Sequence, residues 1–117
     1  MIRHTVFLAG AMLMLAPAVQ AHAFLDHALP PVGGTIEVAP PEIDLFFTEA
    51  VVARFCSVAV LGRDGAVAGE RLRNGNDQKE LILDLPKLAP GDYTVIWHAV
   101  SVDTHRTEGR FHFTLAP

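Results

Sequence analysis

Sulfur is almost missing from this chain: Met1, Met12 and Met14 all precede residue 21, and Cys56 is the only cysteine. Without thioether sulfur, the body of the chain cannot build a soft, methionine-type metal site. A single thiol cannot close an internal disulfide, so the fold has to stand on its apolar core. Cys56 shares the alternation of Val58 and Val60 and reads as a small buried filler rather than a nucleophile or ligand. Positive charge is also scarce, with 9 Lys and Arg against 13 Asp and Glu and a net charge of −4. Such a surface disfavours nucleic acid and anionic membranes as partners and is compatible with binding cations. Beyond residue 21 there is no 3.6-residue apolar stripe, internal repeat, low-complexity tract or linker.

What is present begins with a leader. Residues 1–21 carry a basic start at Arg3, an apolar run from Val6 to Ala16 and a small-residue exit at Val19-Gln20-Ala21, the layout of a cleaved secretory signal. The apolar run is shorter than the ~20 residues that span a bilayer, and Pro17 ends it. Cleavage after Ala21 leaves residues 22–117 as one domain and makes His22 the first residue. The α-amine and imidazole Nδ1 of His22 would then close a chelate ring on one metal ion. Cleavage after Ala18 or after Ala23 also fits the small-x-small pattern, and the sequence leaves these alternatives open. No cysteine stands at any of these junctions, which excludes a lipoprotein.

Period-two alternation predicts strands over 22–28, 35–38, 42–48, 55–61, 79–85, 92–102 and 109–115. Between them lie the turn-forming stretches Pro30 to Gly34, Pro40-Pro41, Arg63-Asp64-Gly65, Asn74 to Asp77 and Ala89 to Asp92. About seven strands in a domain of this size imply an all-β fold, a Greek-key immunoglobulin-like sandwich or barrel. Parity turns Leu45, Phe47, Val58, Val60, Leu81, Leu83, Leu85, Tyr93, Val95, Trp97, Phe111, Phe113 and Leu115 inward.

The second chemical feature is Ser101-Val102-Asp103-Thr104-His105, following the strand that carries Trp97. In extended chain, Asp103 and His105 face the same side with Cα atoms about 6–7 Å apart, near enough to grip one ion. Alone, Asp-x-His is a weak signal that also suits a polar strand end. With His22 the set becomes an amine, two imidazoles and a carboxylate, and such N and O donors in a tetragonal arrangement suit Cu(II). Zinc could use the same atoms in a tetrahedral arrangement. His27, beside Asp26, reads as an exposed strand residue. His98 and His112 have the parity opposite to Trp97 and Phe111 and belong on the solvated outer face.

The chain resembles the CopC/PcoC copper-resistance family over essentially all of residues 22–117. The resemblance is carried by His22-Ala23-Phe24-Leu25, Pro30 and Gly33, Leu45-Phe46-Phe47-Thr48-Glu49, Pro90-Gly91-Asp92-Tyr93-Thr94-Val95, and the block from Trp97 through Asp103-Thr104-His105 to Gly109 and Phe111. It implies a small Greek-key barrel or sandwich, a periplasmic location and copper handling. It also implies Cu(II) ligands at the amine and imidazole of His22, at Asp103 and at His105. A CopD-type membrane copper transporter is the partner it suggests. Two departures stand out: the methionine-rich Cu(I) loop of some members is absent, and Thr104 sits where the family often has glycine. Glu49 belongs to the family's Phe-x-Glu stretch, at a surface turn.

The resulting expectation is a monomeric periplasmic Cu(II) carrier or buffer without catalytic turnover. A histidine-brace copper monooxygenase is the alternative, but Asp103 would fill the position that oxygen needs, and the chain is too short for an extended substrate surface. A metal-free immunoglobulin-like interaction module would leave the coincidence of His22, Asp103 and His105 without explanation.

Overall fold

The computed structural model describes residues 23–67 and 69–117; the predicted leader and His22 lie outside the described residues. In chain order the strands are β1 (Leu25–Leu29), β2 (Thr35–Ile36), β3 (Glu42–Phe47), β4 (Ser57–Gly62), β5 (Gly65–Val67), β6 (Leu72–Asn74), β7 (Glu80–Asp84), β8 (Gly91–Val100) and β9 (Arg106–Leu115). They form a four-stranded sheet, β1-β3-β7-β6, and a five-stranded sheet, β2-β9-β8-β4-β5. Only the short β2–β9 pair runs parallel. The one helical piece among the described residues is a 3₁₀ turn, Ala53–Phe55, and none of their helices is long and apolar enough to cross a membrane. The all-β sandwich expected from the alternation is the fold observed.

Burial follows parity. Leu45, Phe47, Val60, Leu81, Leu83, Tyr93, Val95, Trp97, Phe111, Phe113 and Leu115 are buried, while Val58 and Leu85 are half-buried against them. Fully enclosed side chains such as Phe113, Ile43 and Leu45 each contribute roughly 1.5–3 kcal/mol. Phe47 meets Trp97 edge-on at 5.2 Å between ring centroids, and Tyr93 stacks on Phe113 at the same distance. Trp97 lies opposite Gly109 in the β8–β9 ladder. A Cβ at Gly109 would come within 2.6 Å of the indole, so only glycine lets β9 pass under that ring.

Several boundaries differ from the alternation. The sheets contain nine strands instead of about seven because β5 and β6 escape a period-two reading. Gly65 closes the β4–β5 hairpin at φ +107 and is itself the first residue of β5. β6 has only three residues and is fixed partly by Asn74, whose amide donates to the carbonyls of Val51, Gln78 and Glu80. The first strand begins at Leu25, and β9 begins at Arg106, three residues before its predicted start. Leu88, which lies outside the predicted strands, is buried. Cys56 precedes β4 instead of lying in it; half-buried, its Sγ donates to Val52 O and accepts from the Val100 N–H, and burial raises its pKa.

Candidate metal centre

The loop joining β8 to β9 brings Asp103 and His105 together, by a different route from the extended strand expected of them. Val100 and Arg106 close the ladder, and residues 101–105 form a tight turn. The Ser101 N–H donates to His105 O at 3.0 Å, and the Thr104 N–H donates to Ser101 O at 2.9 Å. Completing this turn forces Thr104 to φ +73, in the left-handed region that favours glycine. The family's frequent glycine at this position thus has a backbone reason.

Ser101 organises the loop. It is the one polar residue among the buried ones described, 1% exposed, and it is tied to Val51 by an isolated bridge between the sheets. Its hydroxyl donates to Asp103 Oδ1 and accepts the His105 N–H at 3.2 Å. Strand parity alone could not find it, although a serine two residues before an aspartate is a recognisable turn signal. The Ser101 hydroxyl holds the Asp103 carboxyl below the usual carboxylate range; desolvation opposes it, and His105 adds to the lowering.

Asp103 Oδ2 and His105 Nδ1 are 3.1 Å apart, with both side chains about half exposed. Adjacent donors on bonds of ~2.0–2.1 Å are themselves separated by about 3 Å, so the pair has the spacing of neighbouring positions around one ion. An ion entering here would replace the proton the two atoms now share. Among the described residues no three His, Cys, Asp or Glu side chains converge.

The chain enters the fold beside this loop. Ala23 is 1% exposed, and its carbonyl accepts a 2.6 Å hydrogen bond from the Thr107 hydroxyl, two residues after His105. The next residue is pinned by Thr48: the Phe24 N–H donates to Thr48 Oγ1 at 3.0 Å, and the Thr48 N–H donates to Phe24 O at 2.8 Å. Neither threonine carries a sequence signal for this role. Alongside, an open cleft of about 750 Å³ is lined by Phe55, His98, Thr104, Arg106 and Glu108.

The remaining described histidines have other partners. His98 pairs with Glu108 at 3.2 Å across β8–β9, and His112 Nδ1 lies 2.9 Å from Thr94 Oγ1, both on the outer face as expected. His27 is exposed, bonded to Asp26 at 2.7 Å and stacked on Phe46 at 4.3 Å. Glu49 is exposed on the bend after β3.

Fold and site together define a small two-sheet β-sandwich domain with an Asp-His pair at one end, beside the point where the chain enters. The CopC domain model matches residues 25–116, and the chain belongs to that family. It is 39% identical over 105 residues to Protein YobA of Escherichia coli strain K12, covering 87% of this chain and 85% of that protein. The crystal structure of CopC from Methylosinus trichosporium OB3b superposes with a TM-score of 0.76 at 34% identity, covering 82% of this chain and 95% of the other. PcoC, a methionine-rich copper resistance protein from Escherichia coli, superposes with a TM-score of 0.74 at 30% identity, covering 81% and 99%.

Proposed function

We propose that this protein is an exported Cu(II) carrier or buffer whose ligands are the amine and imidazole of His22, Asp103 and His105. The observation that carries the proposal is the contact between Asp103 and His105 at the end of the sandwich where Thr107 holds Ala23. The donor set, three nitrogens and one oxygen, favours Cu(II) over zinc in a tetragonal centre. Its structural relative PcoC is a copper resistance protein, which supports the same cargo. Asp103 occupies the fourth position, so no catalytic turnover is proposed. The periplasm is the proposed location, with a monomer exchanging copper with a CopD-type membrane transporter.

Residues 1–21 are proposed as the cleaved leader. Burial of Ala23 supports cleavage after Ala21 over cleavage after Ala23, which would remove a core residue and its bond to Thr107. Cleavage after Ala18 would leave three residues ahead of His22 and abolish the chelate. The intact mass of the exported protein discriminates among the three.

The central test is a competition titration with a Cu(II) chelator. His105→Ala is expected to weaken Cu(II) far more than His98→Ala or His112→Ala. Equal losses at the three histidines would overturn the ligand assignment. A chain carrying an extra methionine before His22 is expected to fold normally and lose most of its affinity, since its amine no longer shares a ring with the imidazole.

A further inference from the structure

We infer that Thr107 is a positioning residue for the amino-terminal half of the copper centre, holding His22 in register with His105; this rests on the copper reading above. The Thr107–Ala23 bond joins residues 84 positions apart, and it is a hydroxyl-to-carbonyl contact outside any strand ladder. Ala23 follows His22 directly, so their Cα atoms are about 3.8 Å apart. Thr107 lies two residues beyond His105, a rise of about 7 Å in extended chain. A carbonyl fixed on Thr107 therefore anchors Ala23, the residue that follows His22, two positions along the chain from His105.

One fixed point would leave the entering chain free to swing, but there are two. Thr48 takes both backbone groups of Phe24 from the end of β3, in the four-stranded sheet. Thr107 takes Ala23 from β9, in the five-stranded sheet. The segment is thus bridged between the sheets, with the Ala23 side chain buried. Thr48 sets the direction of the entering chain, and Thr107 sets how closely Ala23 approaches β9. A chelate gains affinity when its donors are held in place before the ion arrives, and the Thr107 hydroxyl supplies that order.

The experiment compares the processed protein with Thr107→Val, which keeps the shape and loses the hydroxyl, and with Thr107→Ser, which restores it. Each is measured by Cu(II) competition titration, by electron paramagnetic resonance with one equivalent of Cu(II), and by thermal melting without metal. Thr107→Val is expected to weaken Cu(II) on the order of threefold to tenfold and to change the copper spectrum, with Thr107→Ser near the parent. The same pair is then made in the chain with methionine ahead of His22, where the amine no longer shares the chelate ring. There, Thr107→Val is expected to cost no further affinity.

A lower melting temperature with unchanged affinity and spectrum would reduce Thr107 to a structural residue and overturn the inference. An equal loss in both backgrounds would overturn it too, because the effect would not run through the amine. If the added methionine itself leaves Cu(II) affinity unchanged in the parent, it is the amino-terminal centre that fails, a result separable from the other two. Should Thr107→Val not fold, Thr107→Ala carries the same comparison.

Discussion

At Thr104 the loop places a β-branched side chain at φ +73, a conformation that costs an L-residue roughly 1–2 kcal/mol. Thr104→Gly removes that strain and gives back part of the gain through the greater freedom of glycine in the unfolded chain. A net stabilisation of up to about 1 kcal/mol is expected, read as a higher urea midpoint. Ser101→Ala acts on the same loop in the opposite sense. Without the hydroxyl, the Asp103 carboxyl loses its strongest stabilising partner, and its titration, followed by carboxyl-carbon NMR, is expected to move up toward the ordinary range. A third residue, Asp44, lies away from the site. Burial first, then repulsion from Glu42 and Glu80, pushes its pKa up to about 6, and Oδ1 has no hydrogen-bond partner among the described residues. The folded state therefore holds a proton that the unfolded state releases between the ordinary value of 3.8 and about 6, and stability falls as pH rises through that window. Asp44→Asn is expected to raise the melting temperature at pH 7 and to make no difference below about pH 4.

Among the elements, the long β8–β9 hairpin carries both the core and the site loop. Its tolerance is narrowest at Gly109, where an added methyl collides with the Trp97 indole. Gly109→Ala is expected to cost about 1–3 kcal/mol through repacking, visible as a lower denaturation midpoint with altered near-ultraviolet dichroism of Trp97. Strands of this kind were legible in the sequence, because Tyr93-Val95-Trp97 and Phe111-Phe113-Leu115 bury one face and repeat with period two. β5 and β6 were not, since three residues at a sheet edge carry no period and are fixed by Gly65 and Asn74. The Asp103-His105 pair was legible as a pair but not as a turn. Extended chain and a tight loop can bring the same two side chains together, and only the bonds to Ser101 decide between them. Thr48 and Thr107 were illegible because their partners are backbone atoms far away in sequence.

Taken whole, the molecule has an acidic surface, a sulfur-poor interior and its proposed ligands at one end. With Cys56 half-buried and no methionine after Met14, Cu(I) is expected to be held poorly. Ascorbate reduction in the presence of a Cu(I) chelator should strip the metal. One Cu(I) retained tightly in Cys56→Ser would reveal a site the structure does not suggest. The link between Ala23 and Thr107 also has a consequence for timing. It joins the first described residue of the fold to its last strand, so the seam cannot close until nearly the whole chain has been made. Until β9 is made, the Ala23 carbonyl has no hydroxyl to bind and its side chain no finished core to enter. Anchoring of the entering segment and completion of the sandwich therefore meet at one late step.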